Sequence, residues 1–195
     1  ANRFEPATEG SIMDLRTPAY DLNDELQEFS VVFTDRSLNS MSKTFQQVMR
    51  DLHEGLTDVY QAKSAVIVPG GGTYAMEAVA RQFGQDADVL IVRNGWFSFR
   101  WSQIFDACGM AKSEVVLKAA PVSDDAQAAY QPMAIETVTA EIAAKKPQVV
   151  FAPHVETSAG MMLPDDYVKA LADAAHSVGA LFVLDCIASG AMWVN

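Results

Sequence analysis

Three stretches of this sequence place reactive side chains directly after apolar runs. In LFVLDCIASG, residues 181–190, four apolar residues lead to a single aspartate, Asp185. A carboxylate carried into an apolar setting is costly unless a cation meets it. Asp185 therefore suits a partner for a buried cationic ring nitrogen, or more plainly a cap for the next turn. In PGGGTYAMEA, residues 69–78, glycines precede a helical pattern. Glycine lets the backbone approach an anion closely, and a helix N-terminus offers free N–H groups and the positive end of its dipole. Thr73 adds a hydroxyl to Gly70, Gly71 and Gly72, although a tight strand–helix turn would use the same residues. In HVETSAG, residues 154–160, an imidazole, a carboxylate and two hydroxyls stand together. Binding competes there with turn capping by Thr157 or Ser158, and with a backbone bond for His154.

Several chemistries are disfavoured by spacing. No lysine follows the glycines, so the loop is not a Walker loop. Gly70, Gly72 and Ala75 do fit a loose G-x-G-x-x-A dinucleotide fingerprint. That fingerprint expects an acid at the end of the next strand, where the sequence offers Arg93 and Asn94. An arginine there would suit NADP, so an NADP-binding domain stays open as an alternative. His154 and Glu156 stand apart from His53 and His176, which lie on helical patterns, so no metal site is expected. Ser158 is not in a G-x-S-x-G elbow, which removes a serine hydrolase. A non-catalytic module that binds a phosphate ligand through the same loops is a third possibility.

The composition is that of a globular chain with a real core: 50% apolar and 20% charged over 195 residues. A formal charge of −11 argues against nucleic acid and anionic membranes as partners. Cys108 and Cys186 form no CxxC motif, which points to a reducing compartment. The opening ANRFEPATEG has neither the basic nor the apolar region of a signal peptide. No apolar run approaches the ~20 residues of a membrane span. The expectation is a soluble, cytoplasmic protein.

The elements that must position these loops alternate. Phe45, Val48, Met49, Leu52, Leu56, Val59 and Tyr60 recur at helical spacing from Ser42 to about Gln61. SAVIVP reads as a strand, TYAMEAVARQF as a helix, DVLIVRN as a strand and WFSFRWSQIFDA as a helix. SEVVLK is a strand, PVSDDAQAAYQP a loop and AIETVTAEIAAKK a helix. QVVFAP is a strand, 165–178 a helix and ALFVLD a strand. Strands that are continuous apolar runs, alternating with helices, predict an α/β fold with a mostly parallel sheet covered on both faces. Ligands of such sheets sit beyond the carboxyl ends of the strands. The loops at 70–73, 94–97, 154–158 and 185 are all expected there, facing one cleft.

Together the loops resemble the class V aminotransferases of the fold-type I pyridoxal-phosphate enzymes, the group that includes alanine–glyoxylate and serine–pyruvate aminotransferases. The resemblance runs from about Ser42 onward. It rests on the order of a glycine loop, NGWF, H-x-E-T-S-x-G and D-x-x-x-S. It implies pyridoxal 5'-phosphate as cofactor, its phosphate on Gly71, Gly72 and Thr73. Phe97 would stack on the ring, or Trp96 if the register slips by one. Thr157 would lie against the ring oxygen, and Asp185 would pair with the ring nitrogen. The resemblance further implies a homodimer with active sites at the subunit boundary. It also implies a small amino acid of the alanine or serine type and a 2-oxo acid such as glyoxylate or pyruvate. The apolar helix from Ser42 to Tyr60 and the first residues are candidate contact surfaces of that dimer. Another class V enzyme of the cysteine desulfurase or lyase type is an alternative; the desulfurases typically carry two asparagines where Glu156 and Thr157 stand, so the sequence leans away from them.

The family's catalytic lysine lies beyond the aspartate, in a small-polar-Lys turn. Here every lysine, from Lys43 to Lys169, precedes Asp185. Of the catalytic set, only Asp185 is therefore visible. The chain reads as the N-terminal portion of a longer enzyme, without the small C-terminal domain and inactive alone. Residues 1–38 are expected to be an arm, and 39–195 an incomplete cofactor-binding large domain.

Overall fold

The structure, a computed structural model, describes residues 40–190. The arm expected over 1–38 lies outside them. Contacts divide the chain into two compact units between Ile67 and Val68.

The described part of the first unit is helix α1, Lys43–Val59. Ser42 caps it, its Oγ accepting from Phe45 N at 3.0 Å, as an N-cap serine does for an otherwise orphaned N–H. The helix ends where Gln61 takes a left-handed φ of 48°. No residue within α1 is buried, and Leu52 and Val59 are among its exposed apolar residues.

The second unit begins with helix α2, Gly72–Phe83, followed by strand β1, Asp88–Arg93, and helix α3, Trp96–Cys108. Strand β2 is Ser113–Lys118, and Ala120–Pro121 (β3) pairs antiparallel with Tyr130–Gln131 (β4). The loop expected across 121–132 thus carries a minimal hairpin. Helix α4, Ile135–Lys145, leads to strand β5, Val149–Pro153. The short strands β6, Val155–Glu156, and β7, Met161–Met162, pair across a turn. Helix α5, Asp165–Ser177, and strand β8, Leu181–Asp185, complete it.

One expectation fails. Residues 64–69, SAVIVP, form no strand. Val66 is 84% exposed and the run has no pairing partner among the described residues. β-branched residues favour a pleated, half-buried surface rather than the extended backbone itself, so without a neighbour the pattern builds nothing.

The main sheet is parallel throughout, in the order β2-β1-β5-β8. β1 and β5 are central, and their side chains divide between two cores. Val89, Ile91, Val149 and Phe151 pack with Met76, Ala80, Trp101 and Phe105 of α2 and α3. Leu90, Val92, Val150 and Ala152 pack with Val138, Ile142, Leu171 and Ala175 of α4 and α5. Being covered on both faces is why these strands read as unbroken apolar runs. Phe151 anchors the first core, with Trp101 at 4.5 Å and Phe105 at 5.5 Å between ring centroids.

From β1 the chain moves through α3 outward to β2, whereas from β5 it moves through α5 the opposite way to β8. The two helices lie on opposite faces, which gives both crossovers the same hand. Where neighbouring strands lead away from each other, their following loops part and leave a crevice. The β1 and β5 loops flank it here, and β8 brings Asp185 level with Pro153.

Candidate active site

A cavity of about 150 Å³ occupies this crevice. Gly72 and Thr73 line it from the start of α2, Phe97 from α3, Thr157 from the β6–β7 turn and Asp185 from the end of β8. Arg100, Met76, Pro153, Val155, Ile187 and Ala188 complete the wall. The loops expected to face one cleft do meet in it. Gly71 caps α2 but is not among the lining residues. Between the two aromatic candidates the geometry distinguishes cleanly. Phe97 lines the cavity, while the Trp96 ring packs against Phe99 at 5.9 Å.

The first turn of α3, and with it Phe97, is held by Glu156, the residue before Thr157. Glu156 is buried and reaches the first turn of α3. It accepts from Phe97 N at 3.1 Å, Ser98 N at 2.9 Å, Ser98 Oγ at 2.7 Å and Ser158 Oγ at 2.5 Å. Ser158 Oγ in turn accepts from Trp96 N at 2.8 Å. A helix N-terminus leaves N–H groups unpaired and favours negative charge, and this carboxylate answers both needs. Burial pushes the Glu156 carboxyl up, but the bonds from Ser158, Ser98 and Phe97 outweigh it and hold it below the ordinary range. Ser158 is thus a cap, as one reading allowed, though for a helix some 60 residues away. No local signal could have shown this, because the partner is distant in sequence.

Gly95 is needed for space. A Cβ there would lie 2.7 Å from Glu156 Cγ and would collide with Ser158 Oγ. Both neighbours are committed to α3 and cannot yield freely. Gly95→Ala is expected to cost about 2 kcal/mol through overpacking, measurable by chemical denaturation; a stability equal to wild type would contradict this packing.

Asp185 is half-buried. Its Oδ1 accepts from Ile187 N at 3.1 Å and its backbone oxygen from His154 N at 2.9 Å. The turn cap therefore exists, but it uses one carboxylate oxygen. No cation pairs with Asp185 among the described residues. Burial raises its pKa above the usual aspartate range, with Ile187 N–H opposing and the charge of Glu156 adding to the rise. His154 turns to Ser189, Nδ1 to Oγ 2.8 Å, and is satisfied there.

The glycine loop enters α2 with no side-chain cap and no acid in the first turn. Helices α1, α4 and α5 have one or the other, and Glu156 reaches the start of α3 from a distant loop. A Cβ on Gly72 would run into Ile187 Cδ1, and Gly71 faces open space. Arg100, which no sequence motif marks, donates from Nη1 to Thr73 Oγ1 at 2.6 Å. Its only local signal is its place one turn after Phe97.

The family model "Aminotransferase class-V" matches residues 21–192. The chain belongs to the class V aminotransferases. It is 24% identical over 157 residues to alanine–glyoxylate aminotransferase of Mus musculus, covering 79% of this chain and 35% of that protein. The crystal structure of ureidoglycine–glyoxylate aminotransferase from Bacillus subtilis matches at a TM-score of 0.61 and 28% identity, over 74% of this chain and 35% of that one. Pyridoxamine–pyruvate aminotransferase from Mesorhizobium loti shares the fold at a TM-score of 0.65 and 16% identity, over 81% and 38% of the two chains. The chain thus spans about a third of the relatives it matches. The parallel sheet with its helices is that of the fold-type I large domain.

Class V aminotransferases use pyridoxal 5'-phosphate, and the cavity fits such a group. Backbone donors, a cation, a carboxylate with no cationic partner among the described residues and an aromatic ring all line it. A phosphate, a pyridinium and a flat ring are complementary to those features in charge and shape. The dinucleotide alternative lacks the strand that must lead into its glycines. Arg93, its proposed phosphate partner, lies over the Phe99 ring at 4.7 Å. Among the described residues no helix is long and apolar enough to cross a membrane.

Proposed function

We propose that these residues form the cofactor end of an enzyme that moves an amino group between a small amino acid, of the alanine or serine type, and a 2-oxo acid such as glyoxylate or pyruvate. The observation that carries this reading is the convergence of Gly72, Thr73, Phe97, Thr157 and the cation-free Asp185 on one cavity in a class V chain. The names of the relatives supply the substrate class. In this reading Gly71, Gly72 and Thr73 hold the phosphate, Phe97 stacks on the ring, Thr157 meets the ring oxygen and Asp185 keeps the ring nitrogen protonated. Bound pyridoxal phosphate supplies an electron sink for the charge left when a substrate loses its α-proton. The chain's own task is to hold that sink fixed and charged. No nucleic acid or membrane is part of the proposal.

A homodimer belongs to the same reading. The exposed apolar residues of α1 suit a subunit contact, and sedimentation as a monomer at micromolar concentration would count against it.

The test is direct. The protein carrying this chain, supplied with pyridoxal phosphate, alanine and glyoxylate, is expected to yield pyruvate and glycine, with serine as an alternative donor. A cofactor-loaded protein that transfers no amino group from either donor to glyoxylate or pyruvate would overturn the substrate assignment.

A further inference from the structure

We propose that Arg100 is a phosphate-holding residue of this cavity, acting both through its own charge and by orienting Thr73. The inference rests on the cofactor reading above and adds a residue to it.

Arg100 stands one helical turn after Phe97 on α3, so both side chains reach the same cavity from one face. Across 27 positions in sequence it donates to Thr73 Oγ1 at 2.6 Å. Among the described residues it forms no salt bridge. Glu77, which shares the neighbouring open groove with it, is paired with Arg81 at 2.7 Å. In a chain of net charge −11 with 25 acids, a guanidinium beside a ligand cavity without a carboxylate is conspicuous.

The donor arithmetic sharpens the case. A guanidinium has five N–H donors and no acceptor. Toward Arg100 the Thr73 oxygen can only accept, which leaves the single hydroxyl proton free to donate elsewhere. Thr73 stands in the first turn of α2, where the uncapped N–H groups also point outward. Hydroxyl, backbone amides and the remaining guanidinium donors thus offer themselves to one anion. The planar fork of arginine matches phosphate oxygens in pairs, which a lysine's point charge does not. Asp185 lines the same cavity, so the site offers a cation and a carboxylate together and suits a ligand that carries both charges.

Equilibrium titration with pyridoxal phosphate and with pyridoxal, which lacks the phosphate, separates the roles. In Arg100→Gln the affinity for pyridoxal phosphate is expected to fall about tenfold or more, with that for pyridoxal unchanged. Arg100→Lys should fall between, because the charge remains and the fork is lost. It also serves if Arg100→Gln does not fold. An unchanged ratio of the two affinities in whichever variant folds overturns the role of Arg100 and leaves the cofactor reading standing. Equal losses for both ligands overturn it as well, since the arginine would then support the fold or the ring. If the wild-type protein binds neither ligand, the cofactor reading itself falls and this inference with it.

Discussion

Replacing Asp185 with asparagine is expected to leave the fold standing and to slow amino-group transfer by about two orders of magnitude or more. Asparagine is nearly equal in volume, and its side-chain oxygen can still accept from Ile187 N, the bond that measures 3.1 Å in the wild type. What it cannot do is hold a charge opposite the ring nitrogen. Cofactor affinity should fall too, by roughly 2–5 kcal/mol for a desolvated charge-assisted bond. Thr157→Ala should cost only about 1 kcal/mol, as for one neutral hydrogen bond. If Asp185→Asn turns over like wild type while Thr157→Ala is dead, the aspartate is only a turn cap.

The same substitution has an opposite signature in the cofactor-free protein. The Asp185 carboxyl is raised by burial, so the folded state holds its proton to higher pH than the unfolded chain does. Stability from this group is therefore full below the ordinary aspartate pKa and declines as pH rises through the folded value. Above that value burial makes the carboxylate a net cost. Cofactor-free Asp185→Asn should be at least as stable as wild type at pH 7, with the gain vanishing in acid. Denaturant midpoints across pH check this, and a variant less stable at pH 7 would contradict it. A residue that weakens the empty protein and serves the loaded one is what a ligand site requires.

The second large effect is expected at Glu156. Alanine there strips the acceptor from two backbone N–H groups and two hydroxyls at once. Unsatisfied buried donors cost about 1–3 kcal/mol each, although the hydroxyls can rotate to other partners, so a total of about 3 kcal/mol or more follows. Glutamine keeps the shape and about half of the bonding. The pH dependence has the opposite sign to that of Asp185. Because the Glu156 carboxyl is held low, its stabilisation is present above the ordinary glutamate pKa and is lost as pH falls through the folded value. Glu156→Gln should flatten that acid limb of the stability curve. Cofactor binding should weaken as well, since this carboxylate anchors Phe97 N and Thr157 follows it directly in the chain. Full stability in Glu156→Ala, or an unchanged acid limb in Glu156→Gln, would show that the network does not carry the turn.

Much of this arrangement is written locally. β1 and β5 are legible because strands covered on both faces are apolar throughout. The half-buried edge strands β2 and β8 are legible because of their short runs of Val, Leu and Phe, and α1 to α5 because one apolar stripe recurs at helical spacing. Asp185 and the loop from His154 to Gly160 stand out for a related reason, since they lie at the carboxyl ends of apolar strands. Phe97 stands out only through the resemblance to the class V aminotransferases. Residues 64–69 mislead because their composition suits a strand while the described residues give them no partner edge. Glu156 and Arg100 escape because their meaning lies in partners far along the chain, Ser98 N for one and Thr73 Oγ1 for the other. A sequence shows which residues end a strand, whereas a long-range hydrogen bond exists only once the sheet has brought its loops together.

The central claim is that the Asp185 carboxylate keeps a bound ring nitrogen protonated. Magnetic resonance of pyridoxal phosphate isotope-labelled at that nitrogen reads the protonation state directly in the loaded protein. In the wild type the nitrogen should be protonated at neutral pH and stay so well above the value for the free cofactor, while in Asp185→Asn, still binding, it should be unprotonated. The same protonation state in both proteins would contradict the account.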